Sequence, residues 1–138
     1  MTTYVEHANI TVSNLEQTLQ FIQTALPEFK IRHQGKNDQR WCHIGTDSSY
    51  LAIQEQGPAD KPPGQSTPYY DIGINHIGIV VEDVSEIEQR LLKQGYRQNP
   101  QGADETFRRR IYFFDSDGIE WEFIQYFSDD ANERNLYE

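Results

Sequence analysis

The chain has 138 residues, about one domain's length, and its 12 Lys plus Arg against 22 Asp plus Glu give a formal net charge of −10. That balance argues against a nucleic acid or an anionic membrane as partner, because both demand a basic face. No apolar run reaches membrane-spanning length, the N-terminus lacks a signal peptide's basic start and apolar stretch, and the single Cys42 fits a reducing compartment; a soluble cytoplasmic protein is expected.

Tyr4 to Val12 alternates as a strand does, with β-branched residues toward its end. Ser13-Asn14-Leu15-Glu16 has the form of a capping box, so a helix should open near Leu15. Leu15, Leu19, Ile22 and Leu26 space its apolar stripe, and Pro27 ends it. A short strand over Phe29 to His33 is expected, then a turn at Gly35-Lys36-Asn37-Asp38. Strands over Arg40 to Ile44 and Tyr50 to Gln54 follow, joined at Gly45-Thr46-Asp47-Ser48. The stretch Gly57 to Gly73, with Pro58, Pro62, Pro63 and Pro68, reads as a linker. Beyond it, Asn75 to Val81 predicts a strand and Asp83-Val84-Ser85-Glu86 a second capping box. The helix it opens should bury Ile87, Leu91 and Leu92 and stop at Gly95. Arg97 to Asn99 reads as a short strand, Pro100-Gln101-Gly102 as a turn, and Arg109 to Asp115 and Ile119 to Tyr126 as the last strands, joined through Ser116-Asp117-Gly118. Phe127 to Glu138 is a polar, acidic tail expected to fray.

These elements repeat. Glu6-His7-Ala8-Asn9-Ile10-Thr11-Val12 returns as Asn75-His76-Ile77-Gly78-Ile79-Val80-Val81, with the histidines 76 − 7 = 69 positions apart. Each half is β-α-β-β-β: module one over 4–56, a linker over 57–73 and module two over 74–126. One such unit cannot close a core alone, so the expected fold is a single α+β domain of two βαβββ modules forming a curved mixed sheet around a cleft.

Strand alternation then sorts the polar residues. With Ala8, Ile10 and Val12 against the helix, His7 faces the opposite, concave side; with Ile77, Ile79 and Val81 inward, so does His76. Ile119, Trp121 and Phe123 inward leave Glu120 and Glu122 on that side. A lone strand histidine is usually exposed or hydrogen-bonded; the shared register of His7, His76 and Glu122 is what points to one metal site. Two neutral imidazoles and a carboxylate suit a divalent ion: Zn, Ni, Mn or Fe(II). His43 is a candidate general base, and the only other histidine expected near the site. Tyr50 and Tyr112 are candidate oxyanion donors, with packing an equal reading. Of Arg108-Arg109-Arg110, alternation lets at most two face the cleft; Arg110 is the candidate for a substrate carboxylate or phosphate, against a run paired with nearby acids. Trp41 and Trp121 are expected in the core, and Cys42 lacks the basic neighbours of a nucleophile.

The stretches His7-Ala8-Asn9-Ile10-Thr11-Val12-Ser13-Asn14, Asn75 to Val81 and Asp115-Ser116-Asp117-Gly118-Ile119-Glu120-Trp121-Glu122 resemble the vicinal oxygen chelate superfamily, which contains glyoxalase I, extradiol dioxygenases, fosfomycin-resistance enzymes and bleomycin-resistance proteins. The resemblance covers residues 4 to 126. It implies paired βαβββ modules, His7, His76 and Glu122 as ligands of a divalent metal, a homodimer, and isomerase, lyase or oxygenase chemistry on a small oxygen-rich substrate. The alternative it offers is a non-catalytic binder of the bleomycin-resistance type, which characteristically lacks the metal trio. Glyoxalase I often draws a fourth ligand from the last strand of module one; the repeat places Ala52 there, opposite Glu122. Gln54, two residues on, points the same way and is a substrate-binding candidate, while Glu55 has the wrong parity unless a bulge intervenes. Tyr112-Phe113-Phe114-Asp115-Ser116-Asp117-Gly118 through Glu122 partly resembles the dioxygenase pattern, but the histidine that precedes this tyrosine there is missing, with Asp104, Glu105 and Thr106 in that region.

Overall fold

The structure, a computed structural model, describes residues 5–57, 74–101 and 105–136. Tyr4, the greater part of the linker, and the turn residue Gly102 lie outside the described residues. The chain divides into two compact units, Met1–Gln65 and Ser66–Glu138. The first contains β1 (His7–Val12), α1 (Leu15–Ala25), β2 (Lys30–Lys36), β3 (Arg40–Gly45) and β4 (Tyr50–Glu55). The second contains β5 (His76–Val80), α2 (Val84–Lys93), β6 (Gln98–Asn99), β7 (Arg108–Phe114), β8 (Glu120–Tyr126) and α3 (Ala131–Arg134). The two sheets are mixed and identically ordered, β1-β4-β3-β2 and β5-β8-β7-β6, with the first strand of each parallel to the last. The α+β class and the βαβββ repeat expected from sequence are both present.

The register shows how closely one copy repeats the other. Asn9 pairs with Ala52 where Gly78 pairs with Glu122, and His43 pairs with Ala52 where Tyr112 pairs with Glu122. The offset is 112 − 43 = 69 on the third strand and 122 − 52 = 70 on the fourth. One extra residue therefore sits in the β7–β8 turn, which Gly118 closes at φ 78°, a conformation that favours glycine.

Helices α1 and α2 are each fastened to the last strand of their own unit. The Leu15 N–H, at the start of α1, donates to Glu55 Oε2 at 2.9 Å; the Val84 N–H, at the start of α2, donates to Gln125 Oε1 at 3.1 Å. Both satisfy an amide that no turn of helix can serve. Arg40 braces the first cap through Glu55 and Glu16, and Arg109 the second unit's helix through Ser85 and Glu88. Because Val84 is buried, Gln125→Ala should leave its amide unpaired and cost about 1 kcal/mol, read as a lowered urea midpoint with the m-value unchanged.

Several expectations are corrected. The cap of α1 is Asn14, which accepts from the Gln17 N–H at 2.9 Å, rather than Ser13. Leu19 is only half-buried, and Phe21, Ile22 and Thr18 carry the inward stripe with Leu15 and Ala25. Strand β2 runs on through Gly35 and Lys36, because Lys36 pairs with Arg40 and leaves only Asn37, Asp38 and Gln39 to turn. Leu92 is 51% exposed: at about 100° per residue it cannot share the buried face with Leu91. The tail does not wholly fray. Asp130 caps α3 through the Asn132 N–H, and Arg134 lies over the Tyr126 ring at 4.4 Å.

The core of the first unit is built from Ile10, Val12, Phe21, Ile22, Leu26, Cys42, Ile44 and Ile53, and that of the second from Val81, Val84, Ile87, Leu91, Ile111, Phe113, Trp121 and Phe123. Cys42 is fully buried, and burial pushes its thiol pKa up, as an inert cysteine requires. The Trp121 indole N–H donates to Asp115 Oδ2 at 3.1 Å, and burial pushes that carboxyl's pKa up. Among the described residues no helix is long and apolar enough to cross a membrane.

Candidate functional site

The sheet of each unit packs one face on its helix and leaves the other open. In the second unit Ile111, Phe113, Trp121 and Phe123 take the helix face, so alternation sends Arg108, Arg110, Tyr112, Glu120 and Glu122 to the open face. His76 Nε2 lies 3.0 Å from Glu122 Oε2, and the Tyr112 hydroxyl donates to Glu122 Oε1 at 2.9 Å. The backbone partner of Glu122 is Gly78, where an added Cβ would lie 3.6 Å from Oε2, at ordinary van der Waals contact. Glu120 shares the face but is held apart, accepting from Asn99 Nδ2 at 2.9 Å. Both carboxylates are 7% exposed, not solvated as strand-edge acids usually are.

Arg110, the substrate-anion candidate, is committed within the unit. Its Nη2 donates to Glu105 Oε1 at 3.2 Å, its Nη1 donates to the Tyr112 hydroxyl at 3.3 Å, and that Nη1 lies 3.6 Å from Glu122 Oε1. Arg108 also binds Glu105, whose carboxyl the two guanidiniums hold below the usual range, Arg108 through its hydrogen bonds first. The pairing with nearby acids is therefore realised, and Arg108 is buried as well.

The first unit presents a different open face. His7 Nδ1 is 2.9 Å from Glu6 Oε1, and the ring stacks on Tyr50 at 4.7 Å and 16°. Ring contacts continue from Tyr50 to His43 at 5.0 Å, His43 to Trp41 at 5.2 Å, and Trp41 to His33 at 5.3 Å, while Arg32 lies 4.2 Å over Tyr50. Burial first, then the charges of His33, His7 and Arg32, push the His43 pKa down, so this imidazole is neutral at neutral pH. Burial and Glu6 push the Tyr50 phenol up, keeping it a donor. Ala52 is buried and Gln54 exposed, and both line a groove of about 260 Å³ beside His43 and Trp41. Glu55 belongs to the helix face, as its parity requires; no bulge turns it round.

Two sequence readings of this face are overturned. Trp41 is not in the core: Cys42 and Ile44 take the helix side of β3, so Trp41 lies with His43 on the open side. His33 joins that face too, because it pairs with His43 across β2–β3. Two further contacts are not evident from the sequence: Glu6 orients His7, which it directly precedes, and Glu105 partners two arginines. The indole lies across Gly35, where an added Cβ would come within 2.8 Å of Trp41 Cζ2. Gly35→Ala should therefore displace the indole, shift its fluorescence and cost about 1–2 kcal/mol by urea unfolding.

Among the described residues, neither unit by itself gathers three His, Cys, Asp or Glu side chains able to hold a metal. The donor set can nevertheless be tested against a metal. Ligand bonds of about 2.1 Å put neighbouring donor atoms about 3 Å apart at the right angles of octahedral coordination and about 3.4 Å apart at tetrahedral angles. The 3.0 Å between His76 Nε2 and Glu122 Oε2 fits the octahedral spacing. A carboxylate on Nδ1, as Glu6 supplies to His7, is the usual way a ligating imidazole is held with Nε2 as the coordinating nitrogen.

Comparison with known proteins places the fold. Solved structures align over nearly the whole chain. A glyoxalase family protein from Bacillus cereus has a TM-score of 0.76 at 16% identity, covering 93% of this chain and 97% of that one. One from Enterococcus faecalis has a TM-score of 0.69 at 24% identity, over 88% and 96%. The fosfomycin resistance protein FosX from Listeria monocytogenes, in complex with Mn(II) and sulfate, has a TM-score of 0.67 at 18% identity, over 99% and 100%. No curated protein matches by sequence. The model of the Glyoxalase/Bleomycin resistance protein/Dioxygenase superfamily matches residues 4–123, and the chain, with its two βαβββ units in common register, belongs to that superfamily.

Proposed function

We propose that this is a metal-dependent enzyme of the cytoplasm in which His7, His76 and Glu122 hold one divalent ion, within one chain or across a homodimer, and act on a small oxygen-rich substrate. The observation that carries the reading is the His76–Glu122 pair at 3.0 Å, with a carboxylate-held His7 at the equivalent point of the other copy. The Mn(II) in the FosX structure supports a divalent ion as the cofactor type. When bound, such an ion supplies Lewis-acid stabilisation of negative charge on a substrate oxygen. The chain's own groups do the rest. Tyr112 fixes Glu122, Glu6 fixes His7, and Tyr50 is a phenol donor. His43, neutral at neutral pH, is the group able to accept a proton. Ala52 leaves the position of a fourth carboxylate empty of acid, which counts against ordinary glyoxalase I activity and leaves isomerase, lyase or oxygenase chemistry on the trio. Zn, Ni, Mn and Fe(II) all accept these donors.

The second reading, a binder of the bleomycin-resistance type, draws on the aromatic groove of the first unit. Metal analysis separates the two. Protein reconstituted with Mn(II), Zn(II), Ni(II) or Fe(II) should retain one equivalent per site, and His7→Ala and His76→Ala should each abolish retention. Protein that takes up none of the four metals would be the binder instead.

A further inference from the structure

The groove on the open face of the first unit has no counterpart in the proposed metal site. Its walls are Trp41, His43 and Ala52, with the amides of Asn9, Asn37 and Gln54 at its rim. The internal repeat explains why it is open. Ala52 stands where the other copy has Glu122, His43 where it has Tyr112, and Trp41 where it has Arg110, by the registers of β3–β4 and β7–β8. In the second unit those positions are filled by a carboxylate, a phenol and a guanidinium bonded to one another. In the first unit the methyl of Ala52 replaces the carboxylate, and about 260 Å³ is left unfilled.

What fits such a groove follows from its lining. A cavity of ~150 Å³ suffices for a benzene ring, so this one accommodates a single substituted ring. Trp41 and His43 meet at 49° with centroids 5.2 Å apart, two flat walls against which a planar ring packs. Among the described residues, no Asp, Glu, Lys or Arg lines it. Three side-chain amides offer both donors and acceptors, and the buried Trp41 indole N–H has no acceptor among the described residues. A carboxylate or phosphonate would lose its hydration here without meeting a cation; a neutral carbonyl or amide would meet complementary partners.

We propose that this groove seats the uncharged, planar, carbonyl- or amide-bearing ring of a small-molecule ligand, with Trp41 and His43 as its walls and Asn9 and Gln54 as its polar contacts. Calling that ligand a substrate rests on the enzyme reading above; the binding itself does not. The test uses the full chain stripped of metal with EDTA and two isosteric probes, benzamide and benzoate, titrated into the millimolar range. The readout is the ¹H–¹⁵N signal of the Trp41 indole, assigned with Trp41→Phe and set against that of the buried Trp121.

Benzamide should move the Trp41 signal saturably, leave Trp121 in place, and bind about tenfold or more tighter than benzoate, the least that stranding a carboxylate there should cost. Gln54→Ala, on an exposed side chain, should weaken benzamide several-fold without affecting folding. Ala52→Glu should abolish binding by refilling the groove. Benzoate binding as tightly as benzamide, or no saturable shift of Trp41, would overturn the proposal. Benzamide binding by a protein that takes up no metal would sink the enzyme reading and leave the groove standing.

Discussion

Replacing Glu122 with Gln is expected to lower divalent-metal affinity by about 100-fold or more, beyond the ~10–100-fold that loss of a supporting residue produces. The fold should survive. Gln keeps an oxygen to accept from the Tyr112 hydroxyl, which now donates to Glu122 Oε1 at 2.9 Å. What it loses is the carboxylate oxygen 3.0 Å from His76 Nε2, and with it the charge that the proposed pair would offer a cation. Isothermal titration with Mn(II) and Zn(II), alongside the urea midpoint, separates loss of a ligand from loss of structure.

The neighbours grade the effect. Tyr112→Phe and Glu6→Gln remove the groups that hold Glu122 and His7, so each should cost about tenfold in affinity. Glu120→Gln is the control. That carboxylate lies two residues away on the same face, equally buried, but bound to Asn99 instead of a histidine. Metal affinity unchanged in Glu122→Gln, or reduced as strongly in Glu120→Gln, would remove Glu122 from the site.

Alternation and repetition were legible in the sequence because both are local. A period of two fixes which side of β1, β5 and β8 each residue takes, and the offset of about 70 aligns the copies without any knowledge of pairing. That offset matches Ala52 to Glu122, and the strand register reproduces the match. A tryptophan's size suggests the core, but on β3 parity decides: Cys42 and Ile44 take the helix side, which sends Trp41 to the other. The β2–β3 turn could not be located from turn residues alone: Gly35 and Lys36 suit a turn, and only the Lys36–Arg40 pairing shows that they remain in the strand. Ser13 and Asn14 are both good caps, and no local rule decides between neighbours of equal propensity. Glu105 carries no signal at all in its own segment, since its partners lie on a strand three and five residues ahead.

Glu105→Gln should destabilise the protein by about 3 kcal/mol, within the range for stranding one side of a buried ion pair. The Glu105 side chain is 9% exposed and the Arg108 side chain 10%, so neither charge has water to fall back on. Arg108 grips both oxygens, while Arg110, 26% exposed, shares them. A neutral amide would face two guanidiniums with one acceptor, and Arg110 would be left with Glu122, 3.6 Å away, as its nearest acid. Glu88→Gln, whose half-exposed contact with Arg109 is 3.5 Å long, should change stability by less than about 0.5 kcal/mol. The double variant Glu105→Gln/Arg108→Met should recover much of the loss, because it removes the stranded charge with the acid.

The loss should also depend on pH, with a sign fixed by the direction of the shift. Glu105, Glu55 and Glu16 sit below the ordinary value of 4.5 because each accepts from an arginine, so folding favours their ionised forms. The stability they lend is complete above pH 4.5 and disappears as pH falls through their lowered folded values. The gap in urea midpoint between wild type and Glu105→Gln should therefore be widest at neutral pH and should close in acid. A gap of constant size down to pH values where wild type itself unfolds would mean that the ion pair contributes shape and not charge. Glu105 would then be a packing residue that happens to carry a carboxylate.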